Sequence, residues 1–171
     1  DYEAPTDANT DNVYHVVVQV SDGSLTDTQA IAVTVTDVND VAPVITSDGG
    51  GTSAAVNVTE NTTAVTTVTA TDVDGPSLTY SIAGGADAAR FTINASTGVL
   101  SFLAAPDDEA PTDADADNVY DVVVQVSDGT LTDTQAIAVT VTDVNDNAPV
   151  ITSNGGGASA SLNAAENGTA V

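Results

Sequence analysis

The stretch VYDVVVQVSDGTLTDTQAIAVTVTD, residues 119–143, alternates apolar and polar side chains on both sides of an Asp-Gly pair. A period of two is typical of half-buried β-strands, and Asp-Gly is a common hairpin turn. The two arms should each bury one face, whose members are Tyr120, Val122, Val124, Val126, Ile137, Val139 and Val141. The stretch therefore predicts two antiparallel strands of an all-β domain.

Shorter segments with strand composition precede this hairpin and are separated by glycine-containing turns. They lie at residues 64–70, 78–83, 91–94 and 98–103, and a first strand is divided by the glycines at 49–51. Together with the hairpin they give about seven strands, and helical periodicity is missing from this sequence. An antiparallel sandwich of two sheets is the natural way to bury such faces.

The chain repeats itself with a shift of 106 positions. Residues 1–65 and 107–171 share 52 identities in 65 positions, which indicates a tandem array. We expect one complete unit at 41–146, the C-terminal half of a preceding unit at 1–40, and the start of a following unit at 147–171. The sequence would then be an excerpt from a longer polymer.

The charge of the chain is strongly one-sided. Its 171 residues carry 25 acidic side chains against one Lys or Arg, for a formal net charge of -24, and no cysteine. Such a surface excludes binding of nucleic acid or anionic lipid, whereas it favours recruitment of cations. No apolar run approaches the roughly 20 residues of a membrane span, so we predict no membrane insertion by this segment.

A short acidic motif occurs once in each unit, as DVNDVAPVI at 37–45 and DVNDNAPVI at 143–151. Asp37, Asn39 and Asp40 follow one another closely in an extended segment and leave backbone oxygens between them. Ca²⁺ takes 6 to 8 oxygen ligands from carboxylates, amides and backbone carbonyls. The motif therefore predicts a calcium-binding linker between units.

Several motifs in order, ENTTAVTTVTATDVDG, LTYSI, FTINASTGVLSF, DDE, VVVQVSDG and DVNDNAPVI, make the chain resemble tandem cadherin repeats. The resemblance is closest to the cadherin-like repeats of large bacterial surface and secreted proteins of the adhesin type. It implies Ig-like Greek-key sandwiches joined end to end, with up to three Ca²⁺ at each junction.

The resemblance also implies which residues bind these ions. At the first junction the side-chain ligands are Asp1, Glu3, Asp37, Asn39, Asp40, Asp72, Asp74 and Asp128. At the second they are Glu60, Asp107, Glu109, Asp143, Asn145 and Asp146. Backbone carbonyls are expected from Val38, Val41, Val144 and Asn147. The first junction thus gathers seven carboxylates, and three divalent ions would nearly neutralise them.

Other acidic or titratable residues have simpler interpretations. Asp113, Asp115 and Asp117 alternate like the first half of a helix-loop-helix calcium loop, but its glycine and closing glutamate are missing, which favours a solvated loop. His15 stands where the next unit has Asp121, so neither a catalytic nor a ligand role is expected. Carboxylate pairs recur in every unit, which favours a scaffold over an enzyme.

The sequence therefore predicts an extracellular, calcium-stiffened structural or adhesion repeat that acts as an extender or fibre segment. Its partners would be neighbouring repeats of the same polypeptide and other copies of the chain. Two alternatives stay open. One is a module that binds a surface polysaccharide or a cell-surface protein, although exposed aromatic side chains are scarce. The other is a subunit of a self-assembling extracellular filament, since a sandwich keeps edge strands that can pair.

Overall fold

The computed structural model describes residues 1–75, 77–164 and 166–167. Within these residues the regular structure is almost entirely β. The strands are β1 Val13–Ser21, β2 Thr26–Thr34, β3 Val44–Ile45, β4 Ser53–Thr59, β5 Ala64–Thr67, β6 Ala70–Thr71, β7 Thr79–Gly84, β8 Phe91–Ile93, β9 Val99–Phe102, β10 Val119–Ser127 and β11 Thr132–Thr142. Short 3-10 turns lie at Ser47–Gly49, Ala88–Arg90 and Ser153–Gly155. The described residues include no helix that is both long and apolar enough to cross a bilayer.

Strands β3 to β11 form a sandwich. One sheet has the order β4-β11-β10-β7, in which β4 and β11 run parallel and the other neighbours run antiparallel. The second layer contains the antiparallel sheet β5-β9-β8 and the short pair β3-β6. A single apolar cluster takes side chains from both layers. The expected all-β sandwich is therefore confirmed.

The alternation in β10 and β11 places the expected side chains in this core. Val124 and Val139 are both 0% exposed, and they lie on neighbouring strands of the same sheet. At the far end of the core, Phe91, Phe102 and Tyr120 pack together, with the two phenylalanine ring centroids 4.6 Å apart and Tyr120 5.1 Å from Phe102. These aromatic rings fill the space between the two layers with large apolar surfaces.

Two segments of the sandwich each form two short strands instead of one continuous strand. Residues 64–70, expected as one strand, form β5 and then β6. With the divided first strand, which gives β3 and β4, the seven expected strands appear as nine. The first strand is divided by the turn Ser47–Gly49, as its glycines indicate. Gln135 on β11 is 0% exposed, and its Nε2 donates to the carbonyl oxygen of Gly51 at 3.2 Å. A buried amide thus binds a backbone carbonyl that the break in the strand leaves free.

The hairpin β1-β2 has the same register as β10-β11, since Tyr14 pairs with Val33 as Tyr120 pairs with Val139. Its apolar face is open, however. Val18 is 46% exposed, while its counterpart Val124 is 0% exposed. The same local sequence therefore forms the same hairpin in both units.

Candidate metal centres

The first linker is bound to the top of the sandwich through Asp74, which lies in the loop after β6. Asp74 Oδ2 accepts the backbone N–H of Asp40 at 3.0 Å and that of Val41 at 2.8 Å. The backbone N–H of Asp74 in turn donates to Asp72 Oδ1 at 2.9 Å. One carboxylate therefore fixes the path of the linker relative to the sandwich.

Asn39 lies between two of the acids expected to share its site. Its side-chain amide is 3.2 Å from Asp74 Oδ2 and 3.0 Å from Asp128 Oδ2. With its nitrogen turned toward them, the amide donates to both carboxylates; with its oxygen turned toward them, three oxygens converge without a proton between them. The second arrangement is stable only if a cation lies among the oxygens.

Asp128 is held at this position by the hairpin turn that follows β10. Its Oδ1 accepts the backbone N–H groups of Thr130 at 2.6 Å and Leu131 at 2.7 Å. These backbone donors, Leu131 first, lower the pKa of Asp128 below its usual value although burial opposes them. The carboxylate is thus ionised at neutral pH, and its Oδ2 is the atom that faces Asn39.

The acids of the preceding segment join the same group. Glu3, Asp37 and Asp74 each contribute a carboxylate oxygen to a set lying within 4.8 Å of one another. Asp1 adjoins them, since its Oδ1 accepts the backbone N–H of Glu3 at 3.3 Å. A backbone hydrogen bond lowers the pKa of Glu3, but burial and the charges of Asp74 and Asp40 outweigh it and raise the pKa overall.

The fit of a cation to this group can be judged from its unpaired oxygens. Asp72 Oδ2 and Asp74 Oδ1 are both buried and have no hydrogen-bond partner. A buried acceptor left without a partner costs free energy, and a carboxylate more than a neutral group. Divalent cations bind such oxygens, so the residues present fit Ca²⁺.

The second linker is organised around Glu60, which follows β4 and is 2% exposed. Its two oxygens accept the backbone N–H groups of Asp108 and Val144, each at 2.7 Å. These two donors, Asp108 first, lower the pKa of Glu60 despite its burial. Glu60, Asp107 and Glu109 bring their carboxylate oxygens within 4.8 Å of one another.

The remaining residues of the second linker are more exposed. Asp146 accepts the side-chain amides of Asn61 at 2.7 Å and Asn147 at 3.0 Å. The Asn147 side chain lowers the pKa of Glu109, but burial and the charge of Glu60 raise it, and the overall direction is upward. Asp143 and Asn145 are both exposed.

The backbone positions expected to lend carbonyl oxygens are also placed by the structure. Val38 is 65% exposed, Val41 39% and Val144 43%, and Asn147 is exposed as well. They lie in the two linkers, next to the acids described above. The structure thus brings together the side chains expected at the first junction and most of those expected at the second; their role as metal ligands stays a prediction.

Three features of these sites were missed by the sequence interpretation. Asn61 contacts Asp146, and no motif pointed to it, although its left-handed backbone (φ 61°) is typical of an asparagine at a fixed turn. Asp133 Oδ2 accepts the backbone N–H of Ile45 at 2.9 Å and so attaches the end of the linker to β11. The expectation of a solvated loop is wrong for Asp113, which is only 8% exposed because the loop folds against the sandwich.

The family model of the cadherin domain matches residues 54–144, which is more than half of the chain. The chain belongs to the cadherin family. Cadherin domains are structural and adhesion domains of extracellular regions rather than an enzyme class, and they generally bind Ca²⁺. The acidic clusters at both linkers of this cadherin are consistent with that property.

Solved protocadherin structures resemble this cadherin over most of its length. Domains 3–6 of protocadherin gamma B7, a cis-dimer, are 28% identical with a TM-score of 0.64, covering 86% of this chain and 36% of that one. Extracellular cadherin domains 3–6 of protocadherin gamma B2 are 27% identical with a TM-score of 0.65, covering 86% and 37%. Mouse clustered protocadherin gamma C3 EC1–3, 24% identical with a TM-score of 0.62, shares the fold, covering 84% and 45%. The chain thus spans about a third to a half of the length of these structures. No curated protein sequence matches it.

Proposed function

We propose that this cadherin is a calcium-stiffened segment of an extracellular adhesion array, an extender or fibre segment of a large surface or secreted protein of the bacterial adhesin type. Its units would be residues 1–40, 41–146 and 147–171, with the complete repeat in the middle. Up to three Ca²⁺ at each complete junction would hold neighbouring repeats in one orientation. The ligands would be those inferred from the sequence for the two linkers.

The observation that carries this proposal is the position of Asp74. Its carboxylate belongs to the sandwich, yet it contacts the linker backbone at Asp40 and Val41 and lies within one ligand set with Glu3 and Asp37. A cation at this position would therefore contact the linker and both flanking units at once. Binding there would restrict the orientation of one unit relative to the next.

Charge explains why the metal would stiffen the joint. Without cations the seven carboxylates of the first junction repel one another. A backbone hydrogen bond lowers the pKa of Glu3, but burial, a hydrogen bond with Asp74 and the charges of Asp74 and Asp40 raise it overall. Three divalent ions would supply six positive charges. The repulsion would then be replaced by attraction of oxygens from three segments to common ions.

The test measures the distance between the hairpin and the sandwich. The chain has no cysteine, so that Gln19→Cys on β1 and Thr92→Cys on β8, both exposed, introduce the only two thiols for spin labels. Pulsed electron resonance should give a narrow distance distribution with CaCl₂ and a broad one after chelation. Equal widths in the two conditions would refute the proposal.

Matched variants identify the site. Asp74→Asn keeps the shape of the side chain but removes its charge. In this variant a higher calcium concentration should be needed to narrow the distribution of distances between the two spin labels. Asp121→Asn makes the same change on an exposed residue at the other end of β10 and should behave like the parent chain. If both variants need the same calcium concentration to narrow the distance distribution, the effect of calcium reflects the net charge of the chain and not a site at the linker.

A second candidate function, self-association between chains, is favoured by the match to domains 3–6 of protocadherin gamma B7, which form a cis-dimer. A sandwich also keeps edge strands that can pair with another copy. Sedimentation of the chain at increasing concentration should detect dimers, and a monomer at every concentration would refute this candidate. Binding of a polysaccharide or a cell-surface protein has no comparable feature in its favour.

A further inference from the structure

The loop that precedes β10 holds a third acidic group, made of other residues than the groups at the two linkers. Asp113 is 8% exposed, and its Oδ2 accepts the backbone N–H of Asp117 at 2.8 Å. Its Oδ1 is buried without a hydrogen-bond partner. Burial raises the pKa of Asp113, but backbone donors, chiefly Asp117, outweigh burial and lower the pKa overall. The side chain is therefore ionised at neutral pH. A buried, charged oxygen thus has no compensating partner.

Two more carboxylates meet this side chain. Asp113, Asp115 and Asp117 each bring an oxygen to within 4.8 Å of the other two. Two oxygens that are each about 2.4 Å from one calcium ion can be no more than about 4.8 Å apart. Each pair of oxygens meets this limit, and a small rotation of the exposed Asp115 and Asp117 side chains would let one ion contact all three carboxylates. The open side of the loop at these two residues leaves room for water ligands.

The sandwich holds this loop in place. Asp87 is 5% exposed, and its two oxygens accept the backbone N–H of Ala114 at 2.8 Å and that of Asp121 at 2.9 Å. The hydroxyl of Tyr120 also accepts the backbone N–H of Thr112 at 3.1 Å. Because the loop is attached on both sides of the three acids, their arrangement is fixed before any ligand arrives.

The equivalent loop of the preceding unit provides an internal comparison. There Asn9 replaces Asp115, and its Nδ2 donates to Asp11 Oδ2 at 2.7 Å. In the complete unit the same position carries a charge, and the neighbouring Asp117 is the main reason that the pKa of Asp115 is raised. An amide donor in one copy thus corresponds to an uncompensated carboxylate in the other.

We propose that the loop 113–117 binds one Ca²⁺, as a site inside the repeat that is separate from the linker sites. Three hard carboxylate oxygens with space for water suit this cation, which accepts irregular oxygen geometry, better than Mg²⁺, which demands a near-ideal octahedron. The ion would contact the unpaired oxygen of Asp113 and draw Asp115 and Asp117 together. It would order the loop against the sandwich, whether or not the linkers hold calcium.

The experiment is a calcium titration of the ¹⁵N-labelled, metal-free chain followed by NMR. The amide signals of Asp115 and Asp117 report on the loop, and that of Val41 reports on the first linker. With CaCl₂ up to ~10 mM, tenfold above the weakest range of extracellular calcium modules, both sets of signals should shift and saturate. MgCl₂ should saturate the loop signals only at higher concentration.

The decisive variant is Asp115→Asn, which copies the sequence of the first loop at an exposed position and so preserves the fold. It should raise the calcium concentration needed to shift the Asp117 amide about tenfold, because the charge of the ligand set falls, and leave the response of Val41 unchanged. Asp121→Asn, with the same loss of charge nearby, should leave both responses unchanged. Asp113→Asn should abolish the loop response.

The proposal is overturned if the loop amides stay still at ~10 mM CaCl₂ while Val41 shifts, since the linkers alone would then bind calcium. It is also overturned if Asp115→Asn responds like the parent chain, because the loop shifts would then be transmitted from elsewhere. Saturation by MgCl₂ at a lower concentration than by CaCl₂ would overturn the choice of cation. Loss of the Val41 response alone would count against the linker sites and not against this one.

Discussion

Replacing Val124 by alanine should destabilise the repeat far more than the same change at Val18, its counterpart in the first hairpin. Val124 is 0% exposed in the core, whereas Val18 is 46% exposed. Two methyl groups are lost in each case. Their transfer from water is worth about 0.8 kcal/mol each, and a cavity of roughly 50 Å³ adds about 1.2 kcal/mol if it does not collapse.

The expected cost of Val124→Ala is therefore about 2 to 3 kcal/mol of the free energy of unfolding, with the larger value for a rigid core. For a domain of about 100 residues this corresponds to a fall in Tm of roughly 10 to 20 °C. Val18→Ala removes methyl groups that are half in water already and that contact no second sheet. It should lower the main unfolding transition by no more than about 2 °C.

The two variants are compared by thermal unfolding of the chain, followed by circular dichroism and calorimetry, in chelator and again with CaCl₂. The ranking should be the same in both, because neither residue contacts the linkers. An equal fall in Tm for the two variants would show that the hairpin β1-β2 is covered in solution, and the assignment of its open face would then be wrong.

Two further predictions concern the turns and the pH dependence. Gly98→Ala should lower the free energy of unfolding by more than about 2 kcal/mol, because the new Cβ would clash with the carbonyl oxygen of Val68. Gly75 has a similar φ but open space around it, so that Gly75→Ala should cost only the roughly 1 to 2 kcal/mol of a left-handed backbone. Chemical denaturation measures both changes. In the metal-free chain, NMR should show a pKa below the usual value of a glutamate for Glu60 and a pKa above it for Glu109. Because the pKa of Glu60 is lowered by folding, this residue stabilises the fold at pH values above its unfolded pKa, and the stabilisation is lost as the pH falls through its folded pKa. Glu109 acts in the opposite direction, since its protonation relieves repulsion between the acids. If Glu109 titrated at a lower pH than Glu60, this reasoning would be refuted.

The strands were predictable because their information is local. In β10 and β11, a period of two is enough to assign Val122 and Val139 to the core, since one face of each strand must be covered. The break between β5 and β6 was not predictable, because residues 64–70 keep strand composition throughout. It arises from pairing with two different partners, β9 and β3, which is a property of the tertiary fold.

The candidate sites were predictable only in part, for a related reason. The resemblance to cadherin repeats anticipated that Asp37 and Asp74 lie together, because it assigns both residues to the first junction. Nothing local shows that Asp87 attaches the loop before β10, or that Asp113 is buried there. Those contacts depend on how a loop folds back across 27 residues of sequence, which motif spacing does not encode.

The parallel pairing of β4 with β11 has a mechanical consequence. Tension along an array of repeats would enter this unit ahead of β4 and leave after β11, so the two strands would be pulled lengthwise in opposite directions. Their register runs from Ser53 and Ala136 to Thr59 and Thr142, and a lengthwise pull would load all of these backbone bonds together rather than one after another. Force spectroscopy should therefore show a single unfolding event at high force when the chain is stretched from its ends. The unfolding force should be much lower when the load separates β10 from β11, because their hydrogen bonds then break one after another.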